Sequence, residues 1–131
     1  MIRIASLLAM ICIAPAVMAV DASTAPEAPQ ALPSEGWTVI GRQGILLHVV
    51  VPTELARDRA AYRREIPAVC GEAETCFVNF YTNTTGAPLT MPVPDAIAKE
   101  PTAVMRRSAK QGVADGWRWS CRLAIPEPNC F

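Results

Sequence analysis

The sequence predicts an α+β fold, in which a small, mainly antiparallel sheet packs against one helix and disulfides stabilise the domain. Three observations favour this class. Strand-like runs precede and follow a single amphipathic helical segment. The last of these runs alternates between large apolar and polar residues. Four cysteines follow an N-terminal segment that is typical of exported proteins.

The N-terminal segment, residues 1–19, has the pattern of a cleaved secretory signal peptide. Arg3 precedes an apolar run that ends in the small-residue step Val17-Met18-Ala19. The run is shorter than the roughly 18 to 20 residues that cross a bilayer. We therefore expect cleavage after Ala19, loss of Cys12 with the signal, no membrane span afterwards, and a periplasmic or secreted location.

The rest of the chain divides into a leader and a single domain. Residues 20–35 are rich in Pro, Ala and acidic residues, which predicts a disordered leader. Residues 36–131 are predicted to form one α+β domain, small enough for disulfides to matter. The chain has 12 basic and 12 acidic residues, and loss of Arg3 leaves 11 against 12. This near-neutral balance does not favour nucleic acid or an anionic membrane as the partner.

The first part of the domain is predicted to be a hairpin. Residues 37–40 and 45–51 are apolar runs on either side of the turn-like residues 41–44. The second run is partly β-branched and closes at Pro52, which makes it the best candidate for a central strand.

A helix is predicted to follow, with Thr53 as its N-cap. Its larger apolar residues share one face at helical spacing: Leu55, Tyr62, Ile66 and Val69. Pro67 has no backbone N–H, so the helix is expected to kink or end near Ile66.

Three strands and a loop complete the predicted domain. Residues 76–82 alternate as a strand, and residues 83–101 contain four prolines, which predicts a long surface loop. A hairpin is predicted from 103–109 and 116–123, with Trp117, Trp119, Cys121 and Leu123 on its buried face. The strands that flank the helix could also be parallel neighbours, joined by a right-handed crossover.

The four remaining cysteines predict two disulfides in an oxidising compartment. We favour the pairs Cys70–Cys76 and Cys121–Cys130, and crossed pairing such as Cys70–Cys121 remains open. Their spacing fits neither a C-x-x-C redox motif nor the closely spaced ligands of a zinc site. Neither a metal nor a cofactor is therefore predicted.

Catalytic residues are sparse. His48 is the only histidine and lies inside an apolar strand, and Glu72 and Glu74 lie in the short segment between two cysteines. A G-x-S-x-G nucleophile motif does not occur in the sequence. Enzymatic activity is therefore not favoured. The alternative hypothesis is a small secreted hydrolase that uses Glu72 and Glu74, or His48, near the 83–101 loop.

Arginines near the C-terminus suggest a binding surface. Arg118 and Arg122 are predicted to face away from the tryptophans, joined by Arg106 or Arg107 of the partner strand. Such a face could bind an anionic ligand or the acidic surface of an envelope or extracellular protein, or it could be an ordinary solvated face. Because the aromatic and basic residues lie on opposite faces, nucleic acid is not favoured. The sequence thus predicts an exported, non-catalytic binding or accessory module of the bacterial cell envelope or exterior.

Overall fold

The computed structural model describes residues 33–73, 75–112 and 114–131. The predicted signal peptide and residues 20–32 of the predicted leader lie outside the described residues. The described chain contains a five-stranded sheet whose spatial order equals the chain order. The strands are β1 Thr38–Gln43, β2 Leu46–Val50, β3 Cys76–Tyr81, β4 Pro101–Arg107 and β5 Gly116–Trp119.

The sheet is mainly antiparallel, as the sequence predicts. Strands β1–β2, β3–β4 and β4–β5 are antiparallel pairs, whereas β2 and β3 are parallel. A parallel pair needs a crossover of about a dozen residues or more, and helix α1, Arg59–Cys70, supplies it. Of the two arrangements left open for the strands that flank the helix, the chain therefore adopts the parallel one.

Helix α1 starts later than the sequence predicts. Thr53 begins a short 3₁₀ turn, Thr53–Leu55, and the N-cap of α1 is Asp58. The Asp58 carboxylate accepts hydrogen bonds from the backbone N–H groups of Ala60 (2.9 Å) and Ala61 (3.1 Å). The prediction of Thr53 as the cap was wrong because Asp58 satisfies these free donors itself.

The end of α1 also differs from the expectation that Pro67 would stop the helix near Ile66. The helix continues to Cys70, with Ile66, Val69 and Cys70 all buried. Burial of this last turn and the Cys70–Cys76 disulfide hold it in place despite the missing proline N–H. Gly71, with a positive φ of 58°, then terminates the helix.

The core lies between α1 and one face of the sheet, which we call the helix face. Tyr62 is at its centre, with its ring edge-on to Trp37, Phe80 and Trp119 at centroid distances of 5.3, 5.1 and 4.8 Å. The Tyr62 hydroxyl donates to the carbonyl oxygen of Ala56 at 2.8 Å. Burial raises the pKa of Tyr62 to about 12. This aromatic cluster therefore joins the helix to β3, to β5 and to the residue that precedes β1.

Both predicted disulfides are confirmed: Cys70 bonds to Cys76, and Cys121 bonds to Cys130.

The last strand is shorter than the sequence predicts. Strand β5 ends at Trp119, and a 3₁₀ turn, Cys121–Leu123, follows. The C-terminal segment pairs here instead, since the Phe131 N–H donates to the Trp119 carbonyl at 3.1 Å. Cys121 is consequently exposed and does not share the buried face of the tryptophans.

The segment between β3 and β4 packs against the other face of the sheet, which we call the second face. It contains the short helix α2, Asp95–Ala98, and Ile97 of this helix is fully buried against Val50 and Tyr81. None of the helices in the described ranges is long and apolar enough to cross a membrane.

Candidate functional site

A row of paired residues crosses four strands on the second face, and three of its four members are polar. His48 of β2 is paired with Asn79 of β3, Asn79 with Val104 of β4, and Val104 with Arg118 of β5. Residues paired across strands share a face, and their neighbours along each strand point into the helix-side core. The same alternation that builds the core therefore brings these four side chains to the opposite face.

The segment 83–97 covers only part of the second face. Val50 and Tyr81 are buried beneath Ile97, with Ile40 and Val93 packed around them. Asn83 braces this segment: its amide donates to the Ala87 carbonyl at 2.9 Å and its side-chain oxygen accepts from the Ala87 N–H at 3.0 Å.

Beyond this cover, five side chains of β3, β4 and β5 remain half-buried or exposed. We call them the basic half of the second face: Phe77, Asn79, Val104, Arg106 and Arg118.

Arg106 is held rigidly in the basic half. Its Nη1 donates to the carbonyl oxygens of Val78 (2.9 Å) and Met105 (2.8 Å), and its Nη2 donates to Asn79 Oδ1 at 2.7 Å. The guanidinium carbon lies 5.4 Å from the centroid of the Phe77 ring. Partial burial lowers the pKa of Arg106, but a guanidinium remains charged at neutral pH. Its partners are all neutral, so its positive charge is not balanced by any ion pair within the described ranges.

Arg118 lies beside Arg106 on the next strand. It is exposed, and its guanidinium carbon lies 5.6 Å from the centroid of the Phe131 ring. Arg106 pairs with Gly116, two residues from Arg118, so the two arginines are diagonal neighbours on one face. Arg118 also makes no ion pair with another described residue.

Hydrogen bonds connect Arg106 to His48 through Asn79 and Tyr81. Asn79 Nδ2 donates to the Tyr81 hydroxyl at 3.2 Å, and this hydroxyl lies 3.4 Å from His48 Nδ1. His48 is only 7% exposed, and burial lowers its pKa. Its Nε2 atom is buried and has no hydrogen-bond partner among the residues that the structure describes. These hydrogen bonds fix the orientation of the Asn79 side-chain amide, so that its oxygen faces Arg106.

The other two predicted arginines lie elsewhere. Arg107 is paired with Cys76 at the edge of the helix face and forms an ion pair with Asp115 at 2.7 Å.

Arg122 lies beyond the end of β5, where its Nη2 donates to the Pro101 carbonyl at 3.2 Å and approaches Thr82 Oγ1 at 3.4 Å. The prediction that Arg118 and Arg122 line one strand face assumed that the strand extends to Leu123, whereas β5 ends at Trp119.

Glu100 neighbours Arg122 at this end of the sheet. Its carboxylate accepts hydrogen bonds from the hydroxyls of Thr82 (2.6 Å) and Thr84 (2.7 Å). Partial burial alone would raise the pKa of Glu100, but these hydrogen bonds and the charge of Arg122 outweigh it and lower the pKa. Arg122 is therefore part of a compensated polar cluster and not of the basic half.

The residues proposed for hydrolytic chemistry are not joined in the described parts of the chain. Glu72 is exposed and makes no hydrogen bond to His48, whose side-chain neighbour is the Tyr81 hydroxyl. Glu74 lies outside the described residues. Across the residues that the structure describes, no cluster of His, Cys, Asp and Glu side chains could hold a metal ion.

Sequence reasoning identified Arg106, Arg118 and His48 but not the side chains that connect them. Alternation in residues 76–82 does place Phe77, Asn79 and Tyr81 on one face. The missing information was the parallel register of β2 and β3, which sets Asn79 beside His48.

Comparisons with known proteins add nothing to this description, because no protein-family model, no curated protein and no solved structure matches the chain.

Proposed function

We propose that this protein is an exported, non-catalytic binding module of the bacterial cell envelope or exterior, and that it contacts its partner through the basic half of the second face. The observation that carries the proposal is the pair of neighbouring arginines, Arg106 and Arg118, whose charges are not compensated by ion pairs within the described ranges. A partner that brings negative charge to this surface gains charge-assisted hydrogen bonds.

The geometry favours binding over catalysis. Catalysis by a nucleophile needs a base within hydrogen-bond reach of it. His48, the only histidine, instead lies next to a tyrosine hydroxyl, and burial lowers its pKa. Arg106 is held by neutral acceptors in one orientation, which suits recognition of a fixed group.

Two features support export as part of the proposal. Residues 1–19 have the pattern of a signal peptide. The two disulfides are also consistent with an oxidising compartment outside the cytoplasm.

Site-specific photo-crosslinking tests the proposed binding surface. A photoreactive amino acid is placed at Val104, a half-buried position of the basic half, or at Arg63, an exposed position of α1. Both proteins are expressed in a bacterium that carries the gene naturally. We expect discrete crosslinked species from position 104 and none from position 63. Equal labelling from both positions, or none from position 104, would contradict the proposal.

A further inference from the structure

We propose that the basic half of the second face binds a peptide carboxylate, with Arg106 and Arg118 as the two cations that hold it. The inference rests on the proposed binding function and names the chemistry of the group that the partner presents.

The first step of the argument is the set of hydrogen-bond donors that Arg106 has left. Both Nη1 hydrogens and one Nη2 hydrogen point at the acceptors of Val78, Met105 and Asn79. The Nε–H and the second Nη2 hydrogen make no hydrogen bond to any described residue. These donors belong to a planar group that is already oriented by its neighbours and by the Phe77 ring. A carboxylate that accepts from them therefore costs little additional ordering.

The second step is the presence of a second cation on the same face. Arg118 is a diagonal neighbour of Arg106 across β4 and β5; its guanidinium carbon lies over the Phe131 ring, whereas that of Arg106 lies over the Phe77 ring. A carboxylate that binds Arg106 is therefore also attracted to the charge of Arg118. Arg118 is exposed and carries its guanidinium on a flexible stem, so it can move to meet the ligand.

The third step distinguishes a peptide from a polyanion. The whole chain has equal numbers of basic and acidic residues, and two of the four candidate arginines are engaged elsewhere. A nucleic acid or a sulfated polysaccharide gains its affinity from a wider field of positive charge. The arginines instead adjoin Phe77 and Val104, which are half-buried and apolar. This combination suits a carboxylate with an apolar side chain next to it, as peptides provide.

The test is an NMR titration of the isotopically labelled protein, purified with both disulfides formed. The probes are acetyl-Leu-Phe with a free C-terminal carboxylate, acetyl-Glu-Phe amide, whose carboxylate is on a side chain, and the neutral acetyl-Leu-Phe amide. We expect at least one acidic probe to shift the signals of Phe77, Asn79 and Val104, and the neutral amide to leave them unchanged. The acidic probe that binds more tightly identifies a terminal or a side-chain carboxylate as the source.

Three variants assign the effect to the arginines. Arg118→Gln and Arg106→Lys are each expected to weaken the binding of the acidic probe by about tenfold. The first variant loses charged hydrogen bonds, and the second loses the planar guanidinium that donates two parallel hydrogen bonds. The matched control Arg63→Gln removes an exposed helix arginine and is expected to bind normally. Arg118 is exposed, so its variant is expected to fold even if substitution of Arg106 perturbs the sheet.

Other outcomes would overturn the proposal. Equal binding of the acidic and neutral probes, unchanged affinity in Arg118→Gln, or shifts confined to α1 each contradict a carboxylate site on this face. Binding of a heparin fragment but of neither acidic peptide would show that the ligand is a polyanion. If crosslinking at position 104 succeeds while the acidic peptides fail, the binding surface stands and only the carboxylate assignment is wrong.

Discussion

His48 and Glu65 show two ways in which a single residue of this chain can be buried and polar. The Glu65 carboxylate is 7% exposed and accepts hydrogen bonds from the N–H of Ser34 (2.9 Å) and its hydroxyl (2.5 Å). It therefore attaches the start of the described chain to α1. His48 is equally buried, but among the described residues only its Nδ1 atom has a hydrogen-bond partner, the Tyr81 hydroxyl. The fold therefore favours the neutral form of His48.

This difference predicts how stability depends on pH. Because burial lowers the folded-state pKa of His48 below its usual value of 6.5, the unfolded chain takes up the proton first as the pH falls. The free energy of unfolding is expected to be full above pH 6.5 and to decrease below it, until the pH reaches the lower folded-state pKa.

The measurement is urea denaturation of the native protein and of His48→Gln at about pH 7.5 and about pH 5.5. The native protein should lose more stability than the variant over this interval. Since the chain contains a single histidine, the variant removes all histidine titration. Equal losses in both proteins would show that His48 does not control this dependence.

Helix α1 is the element whose local sequence and observed structure disagree most. Pro67 is exposed in its last turn and cannot donate the hydrogen bond that an interior residue of a helix makes. The buried residues of that turn, Ile66, Val69 and Cys70, nevertheless keep the chain helical. Tertiary packing therefore outweighs local propensity in this turn.

Replacing the proline should stabilise the element. Pro67→Ala restores the missing N–H without removing buried surface, and it is expected to raise the free energy of unfolding by about 1–2 kcal/mol. Ala68→Gly, in the same turn, serves as the matched control and should lower it by about 1 kcal/mol. Urea denaturation measures the free energy of unfolding of both variants. A Pro67→Ala protein that is less stable than the native chain would mean that the proline fits its backbone better than an ordinary helical residue.

At the scale of the whole molecule, each of the two disulfides ties neighbouring elements of the chain together. Cys70–Cys76 ties the end of α1 to the start of β3, and Cys121–Cys130 ties the turn after β5 to the C-terminal segment. The loops that they close are short, so each is expected to stabilise the domain by about 2–3 kcal/mol. For a domain of this size that is a large share of a typical total.

Removing the disulfides one at a time tests this estimate. Cys70→Ala with Cys76→Ala should cost more than Cys121→Ala with Cys130→Ala, because Cys70 and Cys76 are 5% and 3% exposed and also fill the core. The measurement is the thermal midpoint of each double variant against the native protein. Reduction of both disulfides in the native protein should lower the thermal midpoint further than either double variant does. If reduction leaves the midpoint unchanged, the disulfides do not stabilise the fold.

The local pattern of residues is sufficient to predict many features of this protein. Alternation and helical spacing predicted the α+β class, the strand candidates and the buried face of α1, and cysteine spacing favoured the two short-range disulfides that the structure confirms. These features depend on residues that are near one another in the chain. The export signal and the binding function remain predictions.

Which side chains share the candidate site depends instead on long-range strand pairing. Arg106 and Arg107 are adjacent in sequence but lie on opposite faces, and the registers of β4 with β3 and β5 determine which one joins Arg118. The parallel pairing of β2 with β3 likewise sets His48 beside Asn79. Register is a long-range property, because a shift of one residue moves every side chain of a strand to the other face without changing its local pattern.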